Sequence, residues 1–304
     1  MCNLTDPVYQ NADKAREHLE ALHWPNGPVC PHCNERERIT RLTSKSARPG
    51  LHKCNECRKQ FTVTVGTIFE DSKIPLNKWL MAFRLLNGGK KGFSAHELHR
   101  SLGITYKSAW FMAHRIREAM KSDGDSPLGG PNTVVEADET FVGGKQRNRA
   151  FRAASPKKAV VALVERDGRA RSFHVANFNA KTLRPLVVTN IDRRSHLMTD
   201  ESMIYTRAGR EFAGHSTVVH SANEYVRQVG FTHSNTAENF FSIFKRGVIG
   251  TYHHMSEAHQ SRYCAEFDFR YNTRKISDAE RTEEVLKGAR GKRLMYRQPS
   301  SVAA

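Results

Sequence analysis

Cys30-Pro31-His32-Cys33 is followed, after twenty residues, by Cys54-Asn55-Glu56-Cys57. Two thiolates on one tight turn can grip a single ion, and two such turns complete a tetrahedral shell; the spacing is that of a zinc ribbon. Four thiolates leave no open coordination position, so the Zn2+ expected at Cys30, Cys33, Cys54 and Cys57 is structural. His32 and His52 lie close in the chain, but the ion is satisfied without them. Cys2 and Cys264 have no partner in a motif and read as free thiols.

A second set of residues suits a different metal chemistry. Asp138 follows the apolar strand pattern of residues 133–137, Asp200 follows the strand-like His196-Leu197-Met198-Thr199, and Glu238 lies in a helical run over 234–246. Both aspartates are expected at or just past strand ends, beside a sheet. Cutting a phosphodiester needs a stronger nucleophile and a stabilised leaving oxygen. Two divalent ions about 3.5–4 Å apart supply both, and clustered carboxylates hold them. Mg2+ or Mn2+ fits, because Mg2+ takes oxygen ligands and keeps several waters, so two or three carboxylates suffice.

Helical geometry selects among the polar residues of the third segment. Ala237, Phe240, Phe241, Phe244 and Val248 recur at helical spacing and define a buried stripe. At about 100° per residue, Glu238 and Lys245 fall almost together, roughly 90° from the centre of that stripe. There they flank the core and can reach over the edge of a sheet, whereas Asn239 points to solvent. Lys245, two turns after Glu238, is placed to contact phosphate beside the metals. Structural alternatives stand beside each assignment: Asp138 and Asp200 as turn or capping residues, and Glu238 as the partner of Asn235 in a capping box. Glu136, Glu139 and Glu201 are neighbouring carboxylates, and strict alternation puts Glu136 on the same strand face as Asp138.

These residues need elements to position them. Residues 8–24 read as a short helix entering the turn Pro25-Asn26-Gly27-Pro28, and short strands are expected in the Cys-rich segment after it. Residues 75–121 read as several helices. Among them, Ser94 and Glu97 form a capping box, Gly103 makes a turn, and Thr105 caps a second helix whose Ala109, Met112 and Ile116 face inward. This has the form of a helix-turn-helix, in which the second helix would present Tyr106, Lys107, His114, Arg115 and Arg117 to a DNA groove. An ordinary helical hairpin is the alternative. Ser122 to Pro131 reads as a linker. Strands follow at 133–138, 159–164 and 171–175, the last two joined by the hairpin signal Arg166-Asp167-Gly168-Arg169. A helix over 180–194 and a helix-rich part from about 233 complete the pattern.

Charge points the same way as the motifs. The 304 residues carry a formal charge of +17, spread along the chain, and a surplus of this size favours an anionic partner such as nucleic acid. No apolar run reaches the roughly eighteen residues of a membrane span, and the N-terminus lacks the pattern of a secretion signal. A cytoplasmic, nucleoid-associated protein is expected.

The segments 135–145, Met198-Thr199-Asp200, 233–247, Tyr252-His253-His254-Met255-Ser256 and Glu266-Phe267-Asp268-Phe269-Arg270-Tyr271-Asn272 resemble insertion-sequence transposases of the ISXO type, as does the zinc ribbon ahead of them. The resemblance implies an α/β, RNase H-like mixed sheet flanked by helices, preceded by the ribbon and the helix-turn-helix-like domain. It implies Asp138, Asp200 and Glu238 as the catalytic, metal-holding triad, with Lys245 the lysine seven residues after the glutamate. It also implies metal-dependent cleavage at transposon ends, attack of the freed 3′-hydroxyl on target double-stranded DNA, and a homo-oligomer that brings two ends together. Lys107, Arg115, Lys245 and Arg246 are the DNA contacts expected; His220 and His233 are expected as structural histidines. The domain boundaries are 1–27 for the N-terminal helix and turn, 28–70 for the ribbon, 71–122 for the helical domain, 123–131 for the linker, 132–276 for the catalytic domain and 277–304 for a basic tail. Two other readings remain: a zinc-ribbon DNA-binding regulator without catalysis, and an RNase H-like nuclease that cuts without joining.

Overall fold

The computed structural model describes residues 3–122, 126–143, 157–218 and 233–295. Cys2, His220 and the Gly144-Lys145 end of the first carboxylate segment lie outside the described residues. The chain forms two compact units, one of residues 1–121 with 275–304 and one of residues 122–274. Among the described residues no helix is long and apolar enough to cross a membrane.

In the first unit the helix expected over 8–24 is two helices, α1 (Pro7–Gln10) and α2 (Ala12–His23). The break is at Asn11, whose side chain accepts hydrogen bonds from the backbone N–H of Asp13 and Lys14 and so starts α2 afresh. Strands β1 (Ile39–Arg41), β2 (His52–Cys54) and β3 (Gln60–Phe61) form an antiparallel ribbon. Its small core is Phe61 with buried Cys30 and Cys54, and Trp24 and Ile39 pack against it.

Helices α3 (Leu76–Gly88), α4 (Ala95–Leu102) and α5 (Tyr106–Ala119) follow. The Ser94–Glu97 capping box is formed, Gly103 closes α4 in the left-handed conformation at φ 59°, and Thr105 caps α5 through the Ser108 N–H. Leu98, Leu102, Ala109, Met112 and Ile116 form the interior of this pair. The expected basic tail is structured over part of its length. Asp278–Lys287 is helix α10, opened by a Ser277–Glu280 capping box, with Val285 and Leu286 buried. His23 Nε2 donates to the Leu286 carbonyl at 2.9 Å and Arg84 pairs with Asp278 at 3.3 Å, which ties α10 to α2 and α3.

The second unit is built on five strands: β4 (Val134–Val142), β5 (Lys158–Glu165), β6 (Ala170–Val175), β7 (His196–Asp200) and β8 (Gly214–Val218). Their order is β6-β5-β4-β7-β8, antiparallel among β6, β5 and β4 and parallel from β4 through β7 to β8. This mixed sheet with flanking helices is the RNase H-like arrangement. The hairpin expected at 166–169 joins β5 to β6, with Asp167 at φ 58°. The end of the expected linker belongs to this unit: Leu128 is buried, and the Gly130 N–H donates to Ser195 Oγ at 2.9 Å.

Alternation along the strands sends side chains to two cores. Val135, Ala137, Val161, Leu163 and Leu197 pack with Leu183 and Val187 of α6 (Ala180–Asn190) and with Ala208 of α7 (Thr206–Gly209). On the opposite face, Val160, Ala162 and Val164 pack with Ala237, Phe240, Phe241 and Phe244 of α8 (Asn235–Gly247) and with Tyr263, Cys264 and Phe267 of α9 (Glu257–Asn272). A π-helical turn at Val248–Tyr252 follows α8 directly.

Candidate active site and metal centre

The four cysteines come together in the first unit. Their sulfurs all lie within 4.8 Å of one another, with Cys30–Cys57 and Cys33–Cys54 each at 3.6 Å. Thiolates at roughly 2.3 Å from one tetrahedral ion would stand about 3.8 Å apart, so the four-cysteine cluster suits a structural zinc. Each knuckle is shaped by its own backbone. The Cys30 N–H donates to the Glu35 carbonyl and the Cys54 N–H to the Lys59 carbonyl, at 2.9 and 3.0 Å. The residue after each pair, Asn34 and Arg58, is left-handed at φ 61° and 59°. Arg36, Arg38, Arg41, Lys45, Lys53 and Lys59 are all exposed around the ribbon.

The DNA contacts expected from the helix-turn-helix are only partly presented. Lys107 and Tyr106 are exposed in the first turn of α5, and Tyr106 stacks on His96 with ring centroids 4.3 Å apart. Arg115 is the correction. It is 6% exposed, donates Nε to the Leu294 carbonyl at 3.0 Å and lies over the Phe111 ring. His114 and Arg117 of the same helix are buried as well. The reason is that packing covers α5 on more than its apolar stripe, so its basic middle is interior and only its start faces solvent.

In the second unit Asp138 is the fifth residue of nine-residue β4, not at its end. Pairing with β5 carries β4 on to Val142, whereas pairing with β7 stops at Glu136↔Met198. Asp200 is the last residue of β7. Continuing that parallel register sets Asp138 beside Asp200, and alternation puts both on the sheet face that α8 covers. Glu238 stands in the first turn of α8 and is exposed, as is Lys245. The stripe expected for this helix is the one buried against the sheet, Ala237, Phe240, Phe241 and Phe244. Arg246 is exposed and folds back on its own helix, Nη2 donating to Ser242 Oγ at 2.7 Å.

Asp138 and Asp200 share one face, where like charges repel, and the described carboxylates form no grouping as tight as the four thiols. An all-oxygen donor set that remains open to water is the kind Mg2+ accepts. Asp138 Oδ1 accepts from the Glu139 N–H at 2.7 Å, and Asp200 Oδ1 from the Ser202 N–H at 3.1 Å.

The neighbouring glutamates separate by position. Glu139 turns to the other face, where Tyr205 donates its hydroxyl to Oε2 at 2.7 Å. Burial pushes the Glu139 carboxyl up to about 7; the tyrosine hydrogen bond opposes this, and the charges of Asp200 and Asp138 add to it. Tyr205 itself is held well above its ordinary value by burial and by Glu139. Glu201 is exposed just past β7.

Glu136 is fully buried on the α8 face and accepts hydrogen bonds from Thr236, Ala237 and Arg166. His233 Nδ1 stands 3.3 Å from its Oε1. Sequence reasoning placed Glu136 on the right face but missed Arg166, Thr236 and Tyr205. Their partners are distant in the chain, and no local pattern marks them.

Comparison with known proteins bears on both regions. Residues 127–272 match the ISXO2-like transposase domain, and residues 10–60 match the transposase zinc-ribbon domain. The chain is 26% identical, over 304 aligned residues covering 91% of it and 96% of the relative, to a protein described as an uncharacterized protein in transposable element ISH50 of Halobacterium salinarum. It is also 28% identical to the male abnormal protein mab-31 of Caenorhabditis elegans, over 178 residues that are 51% of this chain and 41% of that protein.

Proposed function

With an ISXO2-like transposase domain behind a transposase zinc ribbon, the chain belongs to the ISXO2-like DDE transposases, and we propose that it cleaves insertion-sequence ends and joins the freed 3′-hydroxyl strands to target DNA at Asp138, Asp200 and Glu238. The observation that carries this reading is the placement of Asp138 and Asp200 on neighbouring parallel strands, on the one sheet face that α8 covers.

These carboxylates would hold two Mg2+ or Mn2+ ions, whose chemistry is to activate the attacking oxygen and neutralise charge on the leaving one. The chain's own residues supply orientation. Lys245 lies on the same helix as Glu238, two turns on, where its ammonium can fix a phosphate beside the carboxylates. In the first step a water oxygen attacks phosphorus at the transposon end, the P–O bond to the 3′ oxygen breaks, and that oxygen leaves as a hydroxyl. In the second, the same hydroxyl attacks a target phosphodiester, one P–O bond forming as another breaks. The exposed cations of the ribbon and Lys107 grip the DNA backbone, and synapsis of two ends calls for a dimer or larger assembly on DNA.

The test is Mg2+-dependent nicking of DNA carrying the element's ends, by the purified chain. Asp138→Ala and Asp200→Ala should each lower nicking by roughly a thousandfold or more, a loss of several kcal/mol of transition-state stabilisation. Native-like nicking in both variants would remove the triad from the mechanism. Pre-cleaved ends should be joined to a target plasmid; failure to join, with nicking intact, would identify a nuclease instead.

A further inference from the structure

Helix α8 begins without a cap of its own. Ser234, at the N-cap position, makes no capping hydrogen bond from its side chain to the backbone of the first turn; its hydroxyl donates to Glu238 Oε1 at 3.4 Å. The first N–H groups of a helix have no intrahelical partner and need acceptors from elsewhere. Here they come from another element. Glu136 Oε2, on β4, accepts from the backbone N–H of Thr236 at 2.8 Å and of Ala237 at 2.9 Å. Glu136 Oε1 accepts from the Thr236 hydroxyl at 3.0 Å and from Arg166 Nε at 2.7 Å. The other arm of Arg166 donates Nη2 to the His233 carbonyl at 2.7 Å, on the stretch that leads into the helix. Each carboxylate oxygen thus serves two donors, the full complement for an ionised glutamate, and its charge sits where the helix dipole favours an anion.

We propose that Glu136 is a positioning residue of the metal site, a buried strand carboxylate that clasps α8 and so sets where Glu238 stands relative to Asp138. Asp138 is two residues further along the same strand and on the same face; Glu238 is one residue beyond Ala237. The clasp therefore joins the two ligand-bearing elements at the points nearest their ligands. A carboxylate with both oxygens committed in this way is a poor metal ligand, which separates Glu136 from the residues it positions. The proposal rests on the reading of Asp138, Asp200 and Glu238 as the metal-holding set. Mg2+ demands near-ideal geometry, and groups that orient metal ligands cost about 10–100-fold in metal affinity or activity when changed.

The experiment uses the full chain with its zinc and Mn2+ as the probe. Binding without DNA is read from loss of the free Mn2+ paramagnetic resonance signal, and the Mn2+ midpoint and saturating rate of nicking are read in parallel. Glu136→Gln keeps the side chain's size but turns an amide toward the N–H donors. It should raise both midpoints by about tenfold, while saturating Mn2+ restores the rate to within about threefold of native. Thr236→Val removes one hydroxyl from the clasp and should raise the midpoints by roughly threefold, a smaller share of the same effect. If Glu136→Gln does not fold, Thr236→Val decides.

Unchanged midpoints, whatever happens to melting temperature, would reduce the clasp to a stability feature and overturn the proposal. So would a loss of nicking that saturating Mn2+ leaves unrestored, because that is the behaviour of a ligand. Failure of the underlying reading shows separately, as a Glu238→Gln chain that binds Mn2+ and nicks like the native one.

Discussion

The ribbon, which gathers four thiols, and the sheet face that carries the proposed carboxylate ligands are built by opposite means. All four cysteines come from two four-residue turns, each closed by its own backbone hydrogen bond and its own left-handed residue. Among the described residues a small group, Phe61, Trp24, Ile39 and Val65, packs around them. The proposed ligands Asp138, Asp200 and Glu238 stand on β4, β7 and α8, elements held by a five-stranded sheet, two apolar cores and a buried clasp. The ribbon has too small a core to stand without its ion; the carboxylate face stands on packing that no ion supplies. A structural metal in the first region is folding free energy, whereas the catalytic metal proposed for the second would be a ligand of a finished fold.

Zinc removal is the sharpest way to break that contrast. Structural Zn2+ contributes about 10–16 kcal/mol to zinc-finger peptides at neutral pH, more than so small a core can replace. Chelation, or Cys54→Ser, should strip hydrogen-exchange protection from β1, β2 and β3 while β4 and β5 keep theirs. Cooperative loss of protection in both would show that the sheet also leans on the ion.

The mirror experiment disturbs the second unit and leaves zinc alone. Glu266 is fully buried in α9, with Arg270 donating Nη2 to its Oε1 at 2.6 Å and the Tyr252 hydroxyl donating at 2.6 Å. Arg270→Met keeps the volume but leaves a buried anion without its cation, a loss of about 3–5 kcal/mol. The melting temperature of this unit should fall by about 10 °C, with one zinc per chain retained. A native melting temperature would mean that the remaining partners of Glu266, Tyr252 among them, satisfy it.

A smaller effect is written in pH. Asp268 is half-buried against β6 and accepts from the Ser172 N–H at 2.8 Å and the Ser172 hydroxyl at 2.7 Å. Burial pushes its carboxyl up to about 7, against the pull of those hydrogen bonds and of Arg171. The same burial, with the charge of Asp268, raises the neighbouring Cys264 thiol. A carboxyl whose folded value exceeds its unfolded one binds its proton more tightly when folded. Its contribution is therefore full below about pH 4 and is lost as pH rises to about 7, an effect of at most about 4 kcal/mol. Asp268→Asn can accept from the N–H and donate to the hydroxyl, so it should match or exceed native stability at pH 8 and flatten the decline between pH 5 and 8. An unchanged slope would assign the pH dependence to other groups.

How much could be read in advance follows the same division. The knuckles, the Ser94 and Thr105 caps and the buried stripe of α8 are set by neighbours within one turn, so their residues carry the pattern openly. The Asp138 position was legible as a face but not as a place along the strand, because β4 is prolonged by β5 and not by its own sequence. Glu136 looked like a rival ligand, since its donors at 166 and 236–237 are remote in the chain. The helix at Asp278–Lys287 was hidden for a related reason. Its two buried apolar residues, Val285 and Leu286, sit in a charged stretch, and the helices it is tied to, α2 and α3, are remote in the chain.

The basic face of α5 shows the division within a single helix. Periodicity placed both Lys107 and Arg115 toward DNA, and the fold keeps only the first there. Arg115 lies along Phe111 and ends on the Leu294 carbonyl, a partner that arrives from near the other end of the chain. A cation held inside cannot release counterions from DNA, whereas each exposed phosphate contact adds about 0.9 to the salt slope of binding. Lys107→Ala should therefore lower the slope of log affinity against log salt by about 1, measured by anisotropy on a short duplex, with melting unchanged. Arg115→Ala should leave the slope alone and cost about 1–3 kcal/mol in the stability of its own unit, the penalty for an abandoned buried hydrogen bond to a charged group. An Arg115→Ala chain that melts normally but binds with a reduced slope would mean that the arginine leaves Leu294 to meet phosphate, and the boundary drawn across α5 would move.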